Sequence, residues 1–229
     1  MTETDRIARA YRDLEARAGS RYDLRNRGNQ LVLAERRRRT RDLLDGAGLI
    51  PLGDRRVLEV GCGSGSELAW LVDVGATTSR LVGVDLLADR IAAAQKAHPN
   101  IEFRAANAEH LDFPDGAFDL VMAVTVFSSI LDEAMARNVA SEIQRVLPPG
   151  GTLLWYDFRY DNPSNRDVRG VNARSVRELF PKLEGRLQSV TVLPPLVRRL
   201  GVLTSAAYPV LATAPPLRSH LIGLLRKRS

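Results

Sequence analysis

Short apolar runs alternate with amphipathic stretches through the middle of this chain. From Arg56 onward the runs RVLEV, LVGV, IEF, FDLVMAV and TLLWYDF are separated by segments of helical spacing, one beginning at Ser66, one over residues 88–97 and one over residues 132–147. Strand and helix in strict alternation predict an α/β fold: a mostly parallel sheet with helices on both faces. Pro148, Pro149, Gly150 and Gly151 break the last of these helices before the next strand. Upstream, Ile7, Tyr11 and Leu14 recur at helical spacing, and Leu31, Val32, Ala34, Leu43 and Leu44 line a second helix that carries arginines at 36–39. Residues 1–55 therefore predict a helical N-terminal cap.

After Phe158 the alternation stops. The polar stretch RYDNPSNRDVRG is long for a connection and predicts a functional loop, followed by a short helix ending near Phe180. Residues 187–193 and 219–225 read as strands. Between them residues 194–216 form an apolar insertion bracketed by paired prolines, too interrupted by Arg, Gly and Pro for a membrane span and better suited to a lid or an interfacial helix. The 229 residues predict a single domain: the cap, a core over 56–158 and a substrate-side segment over 159–229.

Composition is that of an ordinary globular protein, with 45% apolar and 26% charged residues, which excludes a disordered or membrane-spanning class. One cysteine, Cys62, and a charged N-terminus without the apolar core of a signal peptide predict a cytoplasmic protein. Charge changes the picture more. Residues 1–56 hold 14 Lys+Arg against 9 Asp+Glu, residues 57–185 hold 12 against 18, and residues 186–229 hold 7 against none. Basic ends attract nucleic acid, an anionic membrane surface or an anionic substrate alike. The terminal LLRKRS and the apolar insertion extend the expected location to the inner face of a membrane, through peripheral contact and a lipid-linked acceptor.

The candidate chemistry lies in VLEVGCGSGSE, a strand followed by a glycine-rich turn that opens a helix. Gly61 and Gly63, with Cys62 between them, let the backbone approach a nucleotide-like ligand. Glu59 would oppose a pyrophosphate but suits a ligand bearing an ammonium and a sulfonium. Asp85 ends the second strand 24 residues after Gly61, where a carboxylate can accept both ribose hydroxyls. Asn107, Ala108 and Glu109 follow the third strand, where an amide and a backbone N–H can fix an adenine edge. NAD and S-adenosylmethionine both need the ribose acceptor.

The series VLEVGCGSG, VGVD, ANAEHLDFPDGAFDLV and RVLPPGGTLL, over about residues 56–157, resembles the class I S-adenosylmethionine-dependent methyltransferases. The resemblance implies a Rossmann-like seven-stranded sheet whose last strand, residues 219–225, is antiparallel. It also implies cofactor contacts from Glu59, Gly61, Gly63, Asp85, Leu86, Asn107 and Ala108, with residues 124–127, Val124 and Phe127 included, near the methionine portion. Where this family usually has Gly-Asp, the chain has Ala106-Asn107. The C-terminal third resembles bacterial methyltransferases of glycan and natural-product assembly.

The activity so implied is transfer of a methyl group to a small-molecule acceptor, foremost O-methylation of a glycan or natural product, with C- or N-methylation of a secondary metabolite as the alternative. Asp157 and Arg159, at the end of the fifth strand, are the candidate base and the clamp for an anionic acceptor. Tyr11 and Tyr22 are candidates to close over the site, and Phe127 and Trp155 to face the sulfonium. His98, His110 and His220 read as structural or surface residues, and Cys62 as packing. No Asp, Glu, His and Cys cluster has metal-ligand spacing, so a metal-free mechanism is expected. Two other classes compete: an NAD-dependent oxidoreductase, against which Glu59 argues, and a nucleic-acid methyltransferase, for which the basic ends argue but no recognition module does.

Overall fold

The computed structural model describes residues 2–18, 23–162 and 165–228. Two helices lead, α1 (Glu3–Ala18) and α2 (Arg27–Gly46). There follow β1 (Val57–Val60), α3 (Ser66–Leu71), β2 (Leu81–Asp85), α4 (Ala88–Ala97), β3 (Glu102–Ala105), β4 (Leu120–Val124), α5 (Glu133–Val146), β5 (Thr152–Phe158) and α6 (Ala173–Leu179). The chain ends with β6 (Leu183–Val192), α7 (Pro194–Arg199), α8 (Thr204–Leu211) and β7 (Arg218–Lys227).

The seven strands form one sheet in the order β3-β2-β1-β4-β5-β7-β6. β1 to β5 run parallel, and β7 is inserted antiparallel between β5 and β6, so the Rossmann-like sheet with an antiparallel last strand is present. β6 starts at Leu183, four residues before the predicted strand, and its outer half is polar and exposed. The apolar signal there is weak because β6 is an edge strand, hydrogen-bonded on one side only.

Each face of the sheet carries its own core. Leu58, Val60, Val121, Ala123, Leu153 and Trp155 face α1, α5 and α6, where Ile7, Val139, Ile143 and Val176 are buried. Val57, Leu120, Met122, Leu154 and Tyr156 face the other way, toward Leu44 of α2, Leu68 of α3 and Ile91 of α4. Fully burying each such aliphatic or aromatic side chain contributes about 2 kcal/mol.

The N-terminal cap divides. α1 joins the first face, whereas α2 lies on the second face and runs on to the insertion. There Val192, Val197 and Tyr208 make a small third core with Leu31 and Val32. Asn26 caps α2, its side chain accepting from the N–H groups of Gly28 and Asn29. Glu35, buried on α2, accepts the Tyr208 hydroxyl at 2.6 Å and the Thr191 N–H at 3.0 Å. At the α2–α7 crossing the backbones nearly touch: a Cβ on Gly28 would lie 2.7 Å from the Val197 carbonyl carbon and oxygen. Gly28→Ala is expected to lower stability by about 1–3 kcal/mol, because backbone rather than a movable side chain must give way. Urea denaturation measures it.

Candidate active site

Strand addition reverses at β1, with β2 and β3 on one side and β4 and its successors on the other. Loops leaving β1 and β4 diverge at that point, and open α/β sheets bind ligands in the crevice this creates. A cleft of about 330 Å³ lies there, lined by the loops after β1 to β4 and by Ile7 and Tyr11 of α1.

The loop after β1 is held tightly. Gly61 has φ 70°, and a Cβ on it would lie 2.7 Å from Cγ2 of Val126, so only glycine lets the loops after β1 and β4 pass so closely. The Gly63 N–H donates to Asp85 Oδ2 at 2.8 Å, and the Leu87 N–H donates to Asp85 Oδ1 at 2.9 Å. Asp85 thus fastens the glycine loop to the end of β2. A carboxylate offers about four acceptor sites, so it keeps capacity toward the cleft.

Strand alternation sends Leu58 and Val60 into the first core and Glu59 to the opposite face, which α2 covers. Glu59 is 2% exposed, and its Oε2 finds no hydrogen-bond partner among the described residues. Burial, then the Glu67 charge, pushes its carboxyl well above the usual range, with Arg36 opposing. Arg36 reaches down from α2, lies 5.3 Å from the centre of the Tyr156 ring and pairs with Glu67 at 2.7 Å. Its Nε is likewise buried without a partner among the described residues. Buried polar atoms are ordinarily satisfied, so this part of the cleft presents an unmet acceptor and an unmet donor, matching a zwitterionic ligand end. Another part is apolar, lined by Leu86, Ala108, Met135 and Val139.

α1 closes the cleft. Tyr11 bonds through its hydroxyl to Ser129 Oγ at 3.0 Å, beneath the Arg90 guanidinium 4.3 Å from its ring centre. Arg6 donates to the Ser129 carbonyl, and the Leu131 N–H donates to Glu3 at 2.6 Å.

Ten of the residues predicted from sequence line this one cleft: Tyr11, Glu59, Gly61, Cys62, Gly63, Asp85, Leu86, Asn107, Ala108 and Val124. The Asn107 amide oxygen already accepts the Glu109 N–H at 3.0 Å. Burial raises the Cys62 thiol, as expected of a packing residue. Four others stand away from the lining. Glu109 turns to α5, accepting from Asn138 at 2.9 Å. Phe127, in a short turn over residues 127–129, points into the core, 5.0 Å from the Trp155 ring and 5.5 Å from that of Phe180. Asp157 is 1% exposed and lies beneath that turn, accepting the Ser128 N–H at 3.1 Å. Arg159 stacks on its neighbour Tyr160.

A base and clamp at Asp157 and Arg159 are thus displaced, because the turn after β4 folds over the end of β5. Tyr22 lies outside the described residues. No residue of the insertion lines the cleft; it packs instead on Leu31 and Val32 of α2. His220 is buried against Tyr156 and Phe158 and held neutral, its pKa lowered to about 3 by burial and then Arg36.

Sequence reasoning missed Arg36, Glu67, Arg90, Ser129 and Thr125. Arg36 was legible: Val32, Arg36, Thr40 and Leu44 share the i+4 row that faces inward. Thr125 left no signal. It has φ 56°, a conformation that costs a β-branched residue on the order of 1–3 kcal/mol and that collects at functional sites.

Burial also raises Asp157 to about 6, with the Ser128 hydrogen bonds opposing. A folded pKa above the unfolded one means stability that is present at low pH and lost as pH rises through the folded value. Asp157→Asn, which keeps an acceptor for Ser128, is expected to gain on the order of 2 kcal/mol over wild type near pH 7 and nothing near pH 4. Urea denaturation at the two pH values reads this directly.

The profile of a methyltransferase-domain family matches residues 57–151. The chain is 27% identical over 185 residues to a demethylmenaquinone methyltransferase of Renibacterium salmoninarum, covering 81% of this chain and 71% of the relative. It is 38% identical over 118 residues to phthiotriol/phenolphthiotriol dimycocerosates methyltransferase 1 of Mycobacterium ulcerans, covering 51% of this chain and 41% of that relative. The matched part thus spans less than half of the second protein. Among solved structures, a Burkholderia thailandensis 1,6-didemethyltoxoflavin-N1-methyltransferase with bound 1,6-didemethyltoxoflavin and S-adenosylhomocysteine shares the fold, with a TM-score of 0.62 at 18% identity over 100% of this chain and 92% of that one. The glycine loop, the Asp85 tether and the partnerless Glu59 oxygen lie within or beside residues 57–151, the segment that is similar to a methyltransferase domain.

Proposed function

We propose that the protein methylates an apolar, lipid-linked small molecule. The observation that carries the cofactor half is the partnerless Glu59 oxygen beside the Arg36 guanidinium at the glycine loop. The residues present fit S-adenosylmethionine: Glu59 for its ammonium, Arg36 for its carboxylate, Asp85 for its ribose hydroxyls, and Leu86 and Ala108 for its adenine. Bound there, it supplies a methyl carbon made electrophilic by the sulfonium.

The chain's own residues position and exclude. α1 and the turn over residues 127–129 cover the cleft and keep water out, while in-line transfer requires the acceptor atom at roughly 3 Å from the methyl carbon. Ile7, Val126 and Ile130 give the lining an apolar wall. This wall and the quinone and lipid acceptors in two relatives' names support an apolar acceptor. Among the described residues lining the cleft, Glu59 and Asp85 are assigned to the cofactor, Glu67 is paired with Arg36 and Arg37, and there is no histidine. This favours an acceptor atom that is already electron-rich, such as an activated ring carbon or an ionised oxygen, over a plain sugar hydroxyl, which needs a base.

Calorimetry with S-adenosylhomocysteine tests the cofactor half. Asp85→Ala is expected to weaken binding about a hundredfold, since it removes charge-assisted hydrogen bonds worth about 1.5–3 kcal/mol each. Because the ammonium favours an ionised Glu59 and burial raises its carboxyl, affinity should rise with pH in wild type and lose that slope in Glu59→Gln. A screen of quinols and lipid-linked phenols against hydrophilic polycarboxylates, read by mass gain of one methyl group, tests the acceptor. Turnover of the polycarboxylates alone would sink the apolar reading.

A further inference from the structure

Six large apolar side chains stand exposed among the described residues; of these Val202 lines one groove, Leu24 and Leu203 are chain neighbours of residues that line it, and Val210 lies on α8. The groove runs between the start of α2 and the insertion, and Arg25, Arg27 and Arg198 line it. Its two walls are bonded together: Arg27 Nε donates to Ser205 Oγ at 3.0 Å, Asn26 Nδ2 to the Arg198 carbonyl at 3.3 Å, and Arg198 Nε to Asn29 Oδ1 at 2.8 Å. The insertion is therefore a built element with a defined outer surface.

That surface is unusual in what it leaves in water. Val202 is 97% exposed, Val210 70% and Leu203 65%. α8, TSAAYPVL, has no charged residue, and its inward side is anchored by Tyr208 on Glu35. Around this apolar tip the charge is basic: residues 186–229 contain no Asp or Glu, and Arg25 remains 91% exposed although it pairs with Asp23.

We infer that this groove and tip dock the protein onto an anionic bilayer, an inference that rests on the lipid-linked acceptor proposed above. Exposed aliphatic side chains beside a set of guanidiniums match the acyl boundary and the phosphate layer of such a surface. A second copy of the chain would set Arg25, Arg27 and Arg198 against themselves. A nucleic acid would leave Val202, Leu203 and Val210 in water. The surface lies apart from the cofactor cleft, so docking and cofactor binding are separable by mutation.

The test is co-sedimentation of the full chain with phosphatidylcholine vesicles, with and without phosphatidylglycerol. Wild type is expected to pellet with the anionic vesicles and not with the neutral ones, and to be released by salt. Val202→Glu/Leu203→Glu/Val210→Glu should reduce partitioning tenfold or more. Arg25→Gln/Arg27→Gln should reduce it by about fivefold per arginine. Both variants should bind S-adenosylhomocysteine as wild type does, which shows them folded. Wild type that stays in the supernatant, variants that pellet equally well, or a dimer that covers the patch in sedimentation velocity would each overturn the docking surface. Failure of wild type to bind S-adenosylhomocysteine would strike the methyltransferase reading instead, leaving the vesicle result to stand alone.

Discussion

The Asp85 carboxylate is bonded to two backbone N–H groups, those of Gly63 and Leu87, and this pair of bonds sets the geometry of the cleft. It pins the loop after β1 to the end of β2 and so determines where Glu59, two residues before the turn at Gly61, meets the ligand space. Gly61 can then pass Val126 with no room for a Cβ, and the loop after β4 must bend sharply to clear it. Thr125, with φ 56°, stands at that bend. It is held by the Tyr156 carbonyl, which accepts its N–H at 2.7 Å. Four strands, β1, β2, β4 and β5, are thereby coupled through one carboxylate, one glycine and one strained residue.

Much of the lining of the cleft was legible because its residues lie in short segments. Glu59, Gly61, Gly63 and Asp85 sit at strand ends within short segments, and strand spacing alone brings them together. What failed was direction. Asp157 ends a strand on the correct edge of the sheet, but alternation turns it to the face of Leu153 and Trp155, where the turn over residues 127–129 covers it. Phe127 failed for a related reason: the turn that carries it winds its ring back to Trp155 and Phe180. Neither the path of that turn nor the α1 contacts that fix it can be read from a periodicity, because they depend on segments more than a hundred residues apart.

The arginine-rich stretch of α2 shows how a charge count can mislead. Residues 36–39 look like a solvated or nucleic-acid-binding run, yet Arg36 and Arg37 converge on Glu67 and Arg37 also lies over Trp70. The neighbouring Glu35 is buried against the insertion. One turn of α2 therefore serves two regions, Arg36 the cleft and Glu35 the docking element, through consecutive side chains that leave the helix about 100° apart.

α1 has a kinetic meaning beyond its place in the wall. Ile7 and Tyr11 line the cleft while Glu3 and Arg6 hold the helix to the turn after β4, so a ligand of the cleft is shut in by hydrogen bonds and not by packing alone. Hydrogen bonds to charged groups of this kind are worth about 1.5–3 kcal/mol each, a cost that lifting the helix would have to meet. Any ligand path that runs past α1 would therefore be set by the N-terminal helix and its two charged anchors more than by the sheet that built the site.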